Sequence, residues 1–326
     1  MKRKRNSILE DNILPVEQIL NELVDNKKPV PNARLADLSD LNAQQLKLLD
    51  NAWCSINAGR KRQIMHRLFE LAEDDVSLNF DGIFKHRLRD EDKEVRRIAI
   101  EGLWENEETS LIESLINLMN QDSSQNVQAA AASALGRFAL LAENRKISKD
   151  NIPRLSQSLL TPFSNNSKSI NTRRRALEAV APLNLNKVNQ IITDSYNNGN
   201  YSLKVSAIYA MGINCNPDWL QILLSELTSN NPEMRYEAAV ACGELGEQEA
   251  VPRLIKLTND DDADTRMASI QALGKIGGSE AREHLKKCLN HSSEAIRQAA
   301  KQALHELEVV TEPLYSQYID YGEPYD

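Results

Sequence analysis

The sequence is poor in several residue types that define protein classes. It contains only four cysteines, far apart and without the spacing of a metal site, at Cys54, Cys215, Cys242 and Cys288. A disulfide framework and a zinc site are therefore not expected, and unpaired thiols suit a reducing cytoplasm. Glycine and proline number 12 and 11, and aromatic residues make up 5% of the chain, which argues against a strand-rich domain. Alanine and leucine recur instead, and both favour helices.

Long hydrophobic runs are also missing. The most apolar stretch, residues 127–142, is shorter than a bilayer span and contains Gln128 and Arg137. The basic start of the chain meets Glu10 and Asp11 before any apolar run of a signal peptide could form. The net charge of −8 disfavours nucleic acid and anionic membranes as partners of the whole chain. We therefore expect a cytoplasmic protein without a membrane partner.

The most prominent feature of the sequence is a repeat of 31 residues. Each repeat carries one basic or polar residue at a fixed place, namely Arg96, Gln128, Arg173, Lys204, Arg235, Arg266 and Arg297. We call these seven aligned positions the basic column. Its successive members are 32, 45, 31, 31, 31 and 31 residues apart. Four residues earlier stands a residue that can cap a helix, namely Asp92, Ser124, Ser169, Asn200, Asn231, Asp262 and Ser293. A period of this length indicates a repeat architecture.

Each repeat has the pattern of a helical hairpin. Small residues, mainly alanine, stand three and six positions after the column, and a larger apolar residue stands seven positions after it. Another apolar-periodic segment, such as residues 217–228, precedes each of these helices. A lone hairpin cannot bury its apolar stripe, so neighbouring hairpins must stack. The sequence predicts an all-α solenoid, a superhelix whose second helices line one surface.

The repeats resemble a known family. The segments "DEDKEVRRIAIEGLW" (90–104) and "DDADTRMASIQALGKIG" (261–277) are similar to the short HEAT repeats of the phycobilisome-lyase type. The resemblance covers about residues 75–307. It implies the solenoid fold, but HEAT repeats occur in scaffolds, chaperones and a few enzymes, so the fold alone does not give a function.

The repeat pattern divides the chain into three parts. Residues 1–37 are expected to be polar and partly disordered, with residues 14–24 able to form a short amphipathic helix that docks on the repeats. The predicted solenoid comprises a degenerate cap repeat at about 38–74 and seven repeats at about 75–307, with an insertion at about 143–168. Residues 308–326 form an acidic tail with four tyrosines. This tail could be a linear motif, a lid over the repeats or a solubilising end.

The basic column has two interpretations. A stripe of arginine and lysine could bind nucleic acid, but helical geometry puts the column at the edge of the buried seam, about 60° from the core direction. The family resemblance implies that these residues bond capping groups of the adjacent repeat. The acidic chain favours this structural role.

The second helices also predict a partner-binding groove. The positions one and five residues after the column should be the most exposed, and in the fourth to sixth repeats they carry apolar or aromatic residues, namely Val205, Tyr209, Tyr236, Val240 and Met267. An apolar cluster at exposed positions is typical of an interaction surface. The alternative is that a tight superhelix or the tail already covers these side chains.

A second candidate surface is basic. Five arginines crowd around the insertion, namely Arg137, Arg154, Arg173, Arg174 and Arg175. They could bind an acidic partner, although such charge runs are often only solvated.

Enzymatic alternatives lack a recognisable set of catalytic residues. A bilin lyase would rest on fold analogy alone, and a deoxyhypusine hydroxylase needs several His-Glu pairs, whereas this chain has one, His305 with Glu306. A HEAT-like DNA glycosylase needs a basic concave surface with aromatic residues. Trp104 with Arg97 and Arg137 could contribute to such a surface, but Trp104 replaces the usual glycine near a repeat boundary, and we interpret it as a core or seam residue.

The sequence therefore predicts a non-enzymatic scaffold or adaptor that binds a protein or peptide partner. No cofactor or metal is expected, because no phosphate loop or ligand motif is present in the sequence. The lyase-like and glycosylase-like enzymes remain the alternatives.

Overall fold

A computed structural model describes residues 13–311 except residues 26, 28, 31 and 165–167. Within these ranges all regular secondary structure is helical. The chain divides between Val180 and Ala181 into two compact units. We call them the N-terminal and C-terminal units. The four tyrosines of the acidic tail, and the roles predicted for that tail, lie outside the described residues.

The described part of the N-terminal unit contains a 3-10 helix, Asn32–Leu38, and nine α-helices. The α-helices are α1 (Ile13–Val24), α2 (Ala43–Trp53), α3 (Ala58–Asp74), α4 (Asp81–Arg87), α5 (Lys93–Gly102), α6 (Leu111–Gln121), α7 (Gln125–Glu143), α8 (Asn151–Ser164) and α9 (Ile170–Val180).

The C-terminal unit contains eight α-helices in its described part, and 3-10 turns at Pro217–Trp219 and Gln248–Ala250 lead into two of them. The α-helices are α10 (Asn186–Asn197), α11 (Tyr201–Asn214), α12 (Leu220–Glu226), α13 (Pro232–Leu245), α14 (Val251–Leu257), α15 (Ala263–Ile276), α16 (Gly278–Cys288) and α17 (Glu294–Thr311).

Helical hairpins stack in sequence order within each unit. In the N-terminal unit the second helices α3, α5, α7 and α9 pack successively, and each of α4, α6 and α8 packs on the helix that follows it. In the C-terminal unit α11, α13, α15 and α17 form the corresponding row. The predicted hairpin arrangement is therefore confirmed inside each unit.

The N-terminal amphipathic helix is confirmed as part of the N-terminal unit. Helix α1 buries Ile19 and Leu23 completely. The buried side chain of Arg60 donates from Nε to the carbonyl oxygen of Leu23 (2.6 Å) and from Nη2 to that of Glu22 (2.9 Å). A guanidinium at a helix C-terminus satisfies carbonyls that have no partner inside the helix. The 3-10 helix that follows also packs inward, since Leu35 is fully buried.

The predicted insertion is largely helical. Helix α7 has 19 residues, against 14 in α13 and in α15. Helix α8 has 14 residues, twice the length of α12 or α14. The 45-residue spacing between Gln128 and Arg173 is therefore occupied mainly by these two longer helices and the turn between them.

Glycines and alanines form the seam between successive second helices. A Cβ atom on Gly243 would lie 2.9 Å from Cα of Ala272, and one on Gly212 would lie 2.7 Å from Cα of Ala241. Real Cβ atoms do not approach this closely, so only glycine allows these backbone distances. The prediction that small residues let the helices approach is confirmed.

The basic column has a structural role at several of its positions. Arg235 donates from Nε and Nη2 to the carboxylate of Asp260 in the next repeat (2.8 and 2.7 Å) and from Nη1 to the carbonyl oxygen of Ser229 (2.8 Å). Arg96 makes the same pair of bonds with Asp122 (2.7 and 2.8 Å). These arginines therefore join adjacent repeats, as predicted.

Other members of the column differ from this pattern. Arg266 and Arg297 each donate to two carbonyl oxygens of the turn that precedes their own helix. At the caps, Asp92, Asn200, Asn231 and Asp262 accept backbone N–H groups as predicted. The prediction is wrong for Ser124, whose side chain accepts no capping hydrogen bond.

Candidate functional site

The predicted groove residues lie on successive second helices of the C-terminal unit. Tyr209 on α11 and Tyr236 on α13 are 38% and 36% exposed. Val240 on α13 and Met267 on α15 are half-buried. We call these four residues the tyrosine surface. Large side chains at such positions remain available for contact with a partner.

The predicted exposure of Val205 is wrong. This side chain is only 4% exposed. Helix α11 buries Leu203, Val205, Ala207 and Ile208 around much of its circumference. A helix that is apolar on several sides is covered on more than one face, so a helical wheel that assumes a single buried stripe misplaces Val205.

Tyr236 and Met267 line one groove with a volume of about 560 Å³. Glu233, Asp262 and Asp264 line the same groove. Hydrogen bonds from Thr265 to Asp262 lower the pKa of this carboxyl, which keeps it ionised at neutral pH. The groove therefore combines an aromatic ring and a thioether with negative charge.

Sequence reasoning missed Tyr201 beside this groove. This residue is 43% exposed, and its hydroxyl donates to the carboxylate of Glu233, with Oδ1 of Asn231 also within hydrogen-bond distance (3.1 Å). Burial and the nearby Glu233 raise the pKa of Tyr201. The residue follows the cap Asn200 directly and matches none of the repeat columns, so the periodicity gave no signal for it.

The five arginines of the predicted acidic-partner patch have different contacts. Arg154 forms an ion pair with Glu113. Arg173 lies 5.6 Å from the centroid of the Phe163 ring, and Arg174 is half-buried. Of these five arginines, Arg137 and Arg175 line one groove of the described N-terminal unit.

This N-terminal groove has a volume of about 600 Å³ and crosses the second helices α3, α5, α7 and α9. Its lining includes Arg97, Glu101, Trp104, Ala134, Arg137 and Arg175. Trp104 is 55% exposed, so the interpretation as a core or seam residue is wrong. Helix α5 ends at Gly102, and Trp104 lies in the turn that follows.

The charges in the N-terminal groove are unequally paired. Arg97 forms ion pairs with Glu94 and Glu101, the latter at 2.5 Å, and these hydrogen bonds raise the pKa of Arg97. Arg175 contacts Glu178 at 2.7 Å. Arg137 donates from Nη1 to the carbonyl oxygen of Leu103 (2.8 Å).

Arg137 has a different environment from the other two arginines. It is half-buried, and burial lowers the pKa of its guanidinium. Its Nε atom is buried without a hydrogen-bond partner. Among the residues that the structure describes, Arg137 forms no ion pair. Glu107 and Asp81 favour its charged form from a distance but form no ion pair with it within the described ranges. A half-buried guanidinium without a contacting carboxylate favours an incoming anion.

No three histidine, cysteine, aspartate or glutamate side chains come together as a metal site in the described ranges. None of the helices described here combines the length and apolar character needed to cross a bilayer.

The HEAT-repeat family model matches residues 81–165 and 217–305, more than half of the chain. The chain is a HEAT-repeat protein. The expected family and the predicted fold class, an all-α solenoid of HEAT repeats, are thereby confirmed. No curated protein matches the chain.

Several solved structures are similar at low identity. The CpcE–CpcF complex of phycocyanin lyase from Nostoc sp. PCC7120 has a TM-score of 0.45 and 17% identity, over 70% of this chain and 94% of that chain. A designed armadillo repeat protein in complex with a (KR)4 peptide has a TM-score of 0.39 and 17% identity, over 61% and 100%. Human deoxyhypusine hydroxylase has a TM-score of 0.33 and 17% identity, over 93% and 99%. At these values the similarities carry no argument about function.

Proposed function

We propose that this HEAT-repeat protein is a non-enzymatic scaffold or adaptor that binds an extended segment of a partner protein on the tyrosine surface. The observation that carries the proposal is the exposure of Tyr209 and Tyr236 on neighbouring second helices, together with Met267 in the groove beside Tyr236. Tyrosine and methionine are frequent in binding hot spots, because they offer large contact areas that adapt to a partner.

The charge around the tyrosine surface specifies the partner further. Glu233, Asp262 and Asp264 border the groove of Tyr236 and Met267. Opposite charge across an interface accelerates association and selects partners. The proposed partner segment therefore combines lysine or arginine side chains with apolar ones.

The test compares partner capture by three full-length proteins from a lysate of the native cell. They are the wild type, a Tyr209→Ala/Tyr236→Ala variant, and a control variant, Val76→Ala/Leu289→Ala, which changes two exposed apolar residues outside the tyrosine surface. Proteins retained by the wild type and the control but lost by the tyrosine variant are then purified and titrated. We expect the tyrosine variant to weaken their binding by at least about tenfold.

Unchanged binding of every captured protein by the tyrosine variant would contradict this site. Circular dichroism and thermal melting of all three proteins show whether a loss of binding reflects loss of fold. Because both tyrosines are exposed, we expect their replacement to change the melting temperature little.

The two enzymatic alternatives make a different prediction. A bilin lyase-like protein should bind a chromophore with visible absorption, and a HEAT-like DNA glycosylase should release a base from damaged DNA. An absorption spectrum after incubation with a bilin, and a base-release assay, therefore distinguish both enzymes from the proposed scaffold.

A further inference from the structure

The N-terminal groove originates in one irregular repeat. Eight residues after the basic column, glycine stands at Gly136, Gly212, Gly243 and Gly274, and each of them packs against an alanine of the next second helix. The equivalent residue after Arg96 is Trp104. Since α5 ends two residues earlier, no glycine contact closes the space beside α7. Ala134, the alanine at the seam position of α7, is half-exposed in the groove.

The groove thus has an apolar wall with an exposed aromatic ring. Of the three tryptophans, Trp53 and Trp219 are 3% and 6% exposed, and only Trp104 presents more than half of its surface. Ile100 and Ala129 are buried beneath the same groove. An exposed indole beside a concave apolar surface is an efficient contact for an aromatic or large aliphatic side chain.

The rim of the groove supplies positive charge. Arg137 lacks an ion-pair partner among the described residues, whereas Glu94 and Glu101 neutralise Arg97. Arg175 is an exposed side chain on the adjacent α9. Arg175 donates from Nη1 to Glu178 (2.7 Å) and has further N–H groups on an exposed guanidinium. A carboxylate near both arginines would therefore gain its main charge-assisted hydrogen bonds from Arg137 and share Arg175 with Glu178.

We propose that the N-terminal groove binds an acidic peptide segment, with an aromatic or large apolar side chain on Trp104 and a carboxylate at Arg137 and Arg175. This second site is independent of the tyrosine surface, because it lies in the other unit and selects ligands of opposite charge. It also narrows the acidic-partner patch expected from the sequence to Arg137 and Arg175, joined by Trp104.

A peptide fits the groove better than a nucleic acid. Glu73 and Glu101 line the groove together with the arginines. A continuous row of phosphates would meet these carboxylates, whereas a peptide can place a single acidic side chain at the arginines and an apolar one at the indole.

The test titrates the full-length protein with a fluorescently labelled random copolymer of glutamate and tyrosine. Binding is followed by fluorescence anisotropy, and the protein's own tryptophan emission is recorded with the unlabelled copolymer. Because Trp104 is the exposed tryptophan, we expect a blue shift and weaker quenching by acrylamide when the groove is filled. The Trp104→Phe variant should lose both signals and retain most of the binding.

Two replacements test the residues directly. Trp104→Ala and Arg175→Gln change exposed side chains and should each weaken binding by at least about tenfold without loss of fold. Arg137→Gln should weaken it similarly, with thermal melting used to check its helix-capping bond to Leu103. The matched control Arg89→Gln removes an exposed arginine outside the groove and should leave binding unchanged.

Binding that persists in Trp104→Ala and Arg175→Gln, or absence of binding to the copolymer, would overturn the proposal. A single-stranded oligonucleotide that binds more tightly than the copolymer and depends on the same residues would overturn it in favour of nucleic acid. A negative result for the N-terminal groove would not contradict the proposed function, because the tyrosine surface is tested with different variants and with a basic partner.

Discussion

The inner helices of the two units follow one repeat pattern but present different surfaces. In the C-terminal unit Gly243 meets Ala272 at the seam, and the exposed ring of Tyr236 lies beside carboxylates. In the N-terminal unit Trp104 occupies the place of such a glycine, and the resulting groove carries Arg137. A change at one seam position can therefore alter the exposed surface of a repeat while the hairpin stack is retained.

The bonds between neighbouring repeats are shared by both units. The bidentate contacts of Arg96 with Asp122 and of Arg235 with Asp260 have the same geometry. Both aspartates also accept the backbone N–H of the residue two positions later, the helix cap. The scaffold is therefore common to the units, and the difference between them lies in the side chains of the exposed positions.

The largest expected effect comes from filling the seam. Gly243→Val would force a branched side chain into the contact with Ala272 and should lower the free energy of unfolding by about 3 kcal/mol. Trp104→Gly, at the equivalent position of the N-terminal unit, removes an exposed ring and should cost far less. Urea denaturation of both variants measures the difference, and equal losses would show that the two positions are not structurally distinct.

The second-largest expected loss of stability comes from removing an Arg–Asp ion pair between neighbouring repeats. Asp260→Ala leaves the half-buried Arg235 with only a carbonyl partner and should lower the free energy of unfolding by about 2 kcal/mol, between the values of exposed and buried ion pairs. Asp122→Ala should cost a similar amount in the N-terminal unit. A cost near zero for either variant would mean that the bond does not stabilise that unit.

Acid should weaken both units through such carboxylates. The hydrogen bond from Arg62 lowers the pKa of Asp92 to about 2, and that from Arg235 lowers the pKa of Asp260. A lowered pKa in the folded state contributes stability above the unfolded value of about 4, and this contribution is lost as the pH falls towards about 2. Urea denaturation between these pH values should give a shallower pH dependence for Asp92→Asn than for the wild type. An identical slope would contradict the role of Asp92.

The smallest effect concerns thiol reactivity. Cys54 and Cys215 are exposed, whereas Cys242 and Cys288 are buried, and burial raises the pKa of Cys242 to about 12. Partial burial and the nearby Glu244 also raise the pKa of Cys215. At neutral pH a thiol reagent should therefore modify Cys54 first, Cys215 more slowly, and the two buried thiols only after the C-terminal unit opens. Peptide mapping of the modified protein assigns the sites, and rapid labelling of Cys242 would show that its helix seam opens in the native state.

The repeat period was sufficient to predict the fold, because the caps, the small seam residues and the apolar positions recur at fixed distances. The repeat period was not sufficient to predict which side chains are exposed at the two candidate surfaces. Val205 was misplaced because α11 is buried on several sides, and Trp104 because α5 ends earlier than the repeat pattern implies. Arg137 has no ion-pair partner among the described residues because no carboxylate of a neighbouring repeat reaches it there, and a helical wheel contains no such information.

The most direct test titrates two probes of opposite charge, a glutamate–tyrosine and a lysine–tyrosine copolymer, against two full-length variants. Trp104→Ala/Arg175→Gln should lose the acidic probe and keep the basic one, and Tyr209→Ala/Tyr236→Ala should do the opposite. Loss of the same probe by both variants, or of neither probe by either, would contradict the claim that the two units carry separate binding surfaces of opposite preference.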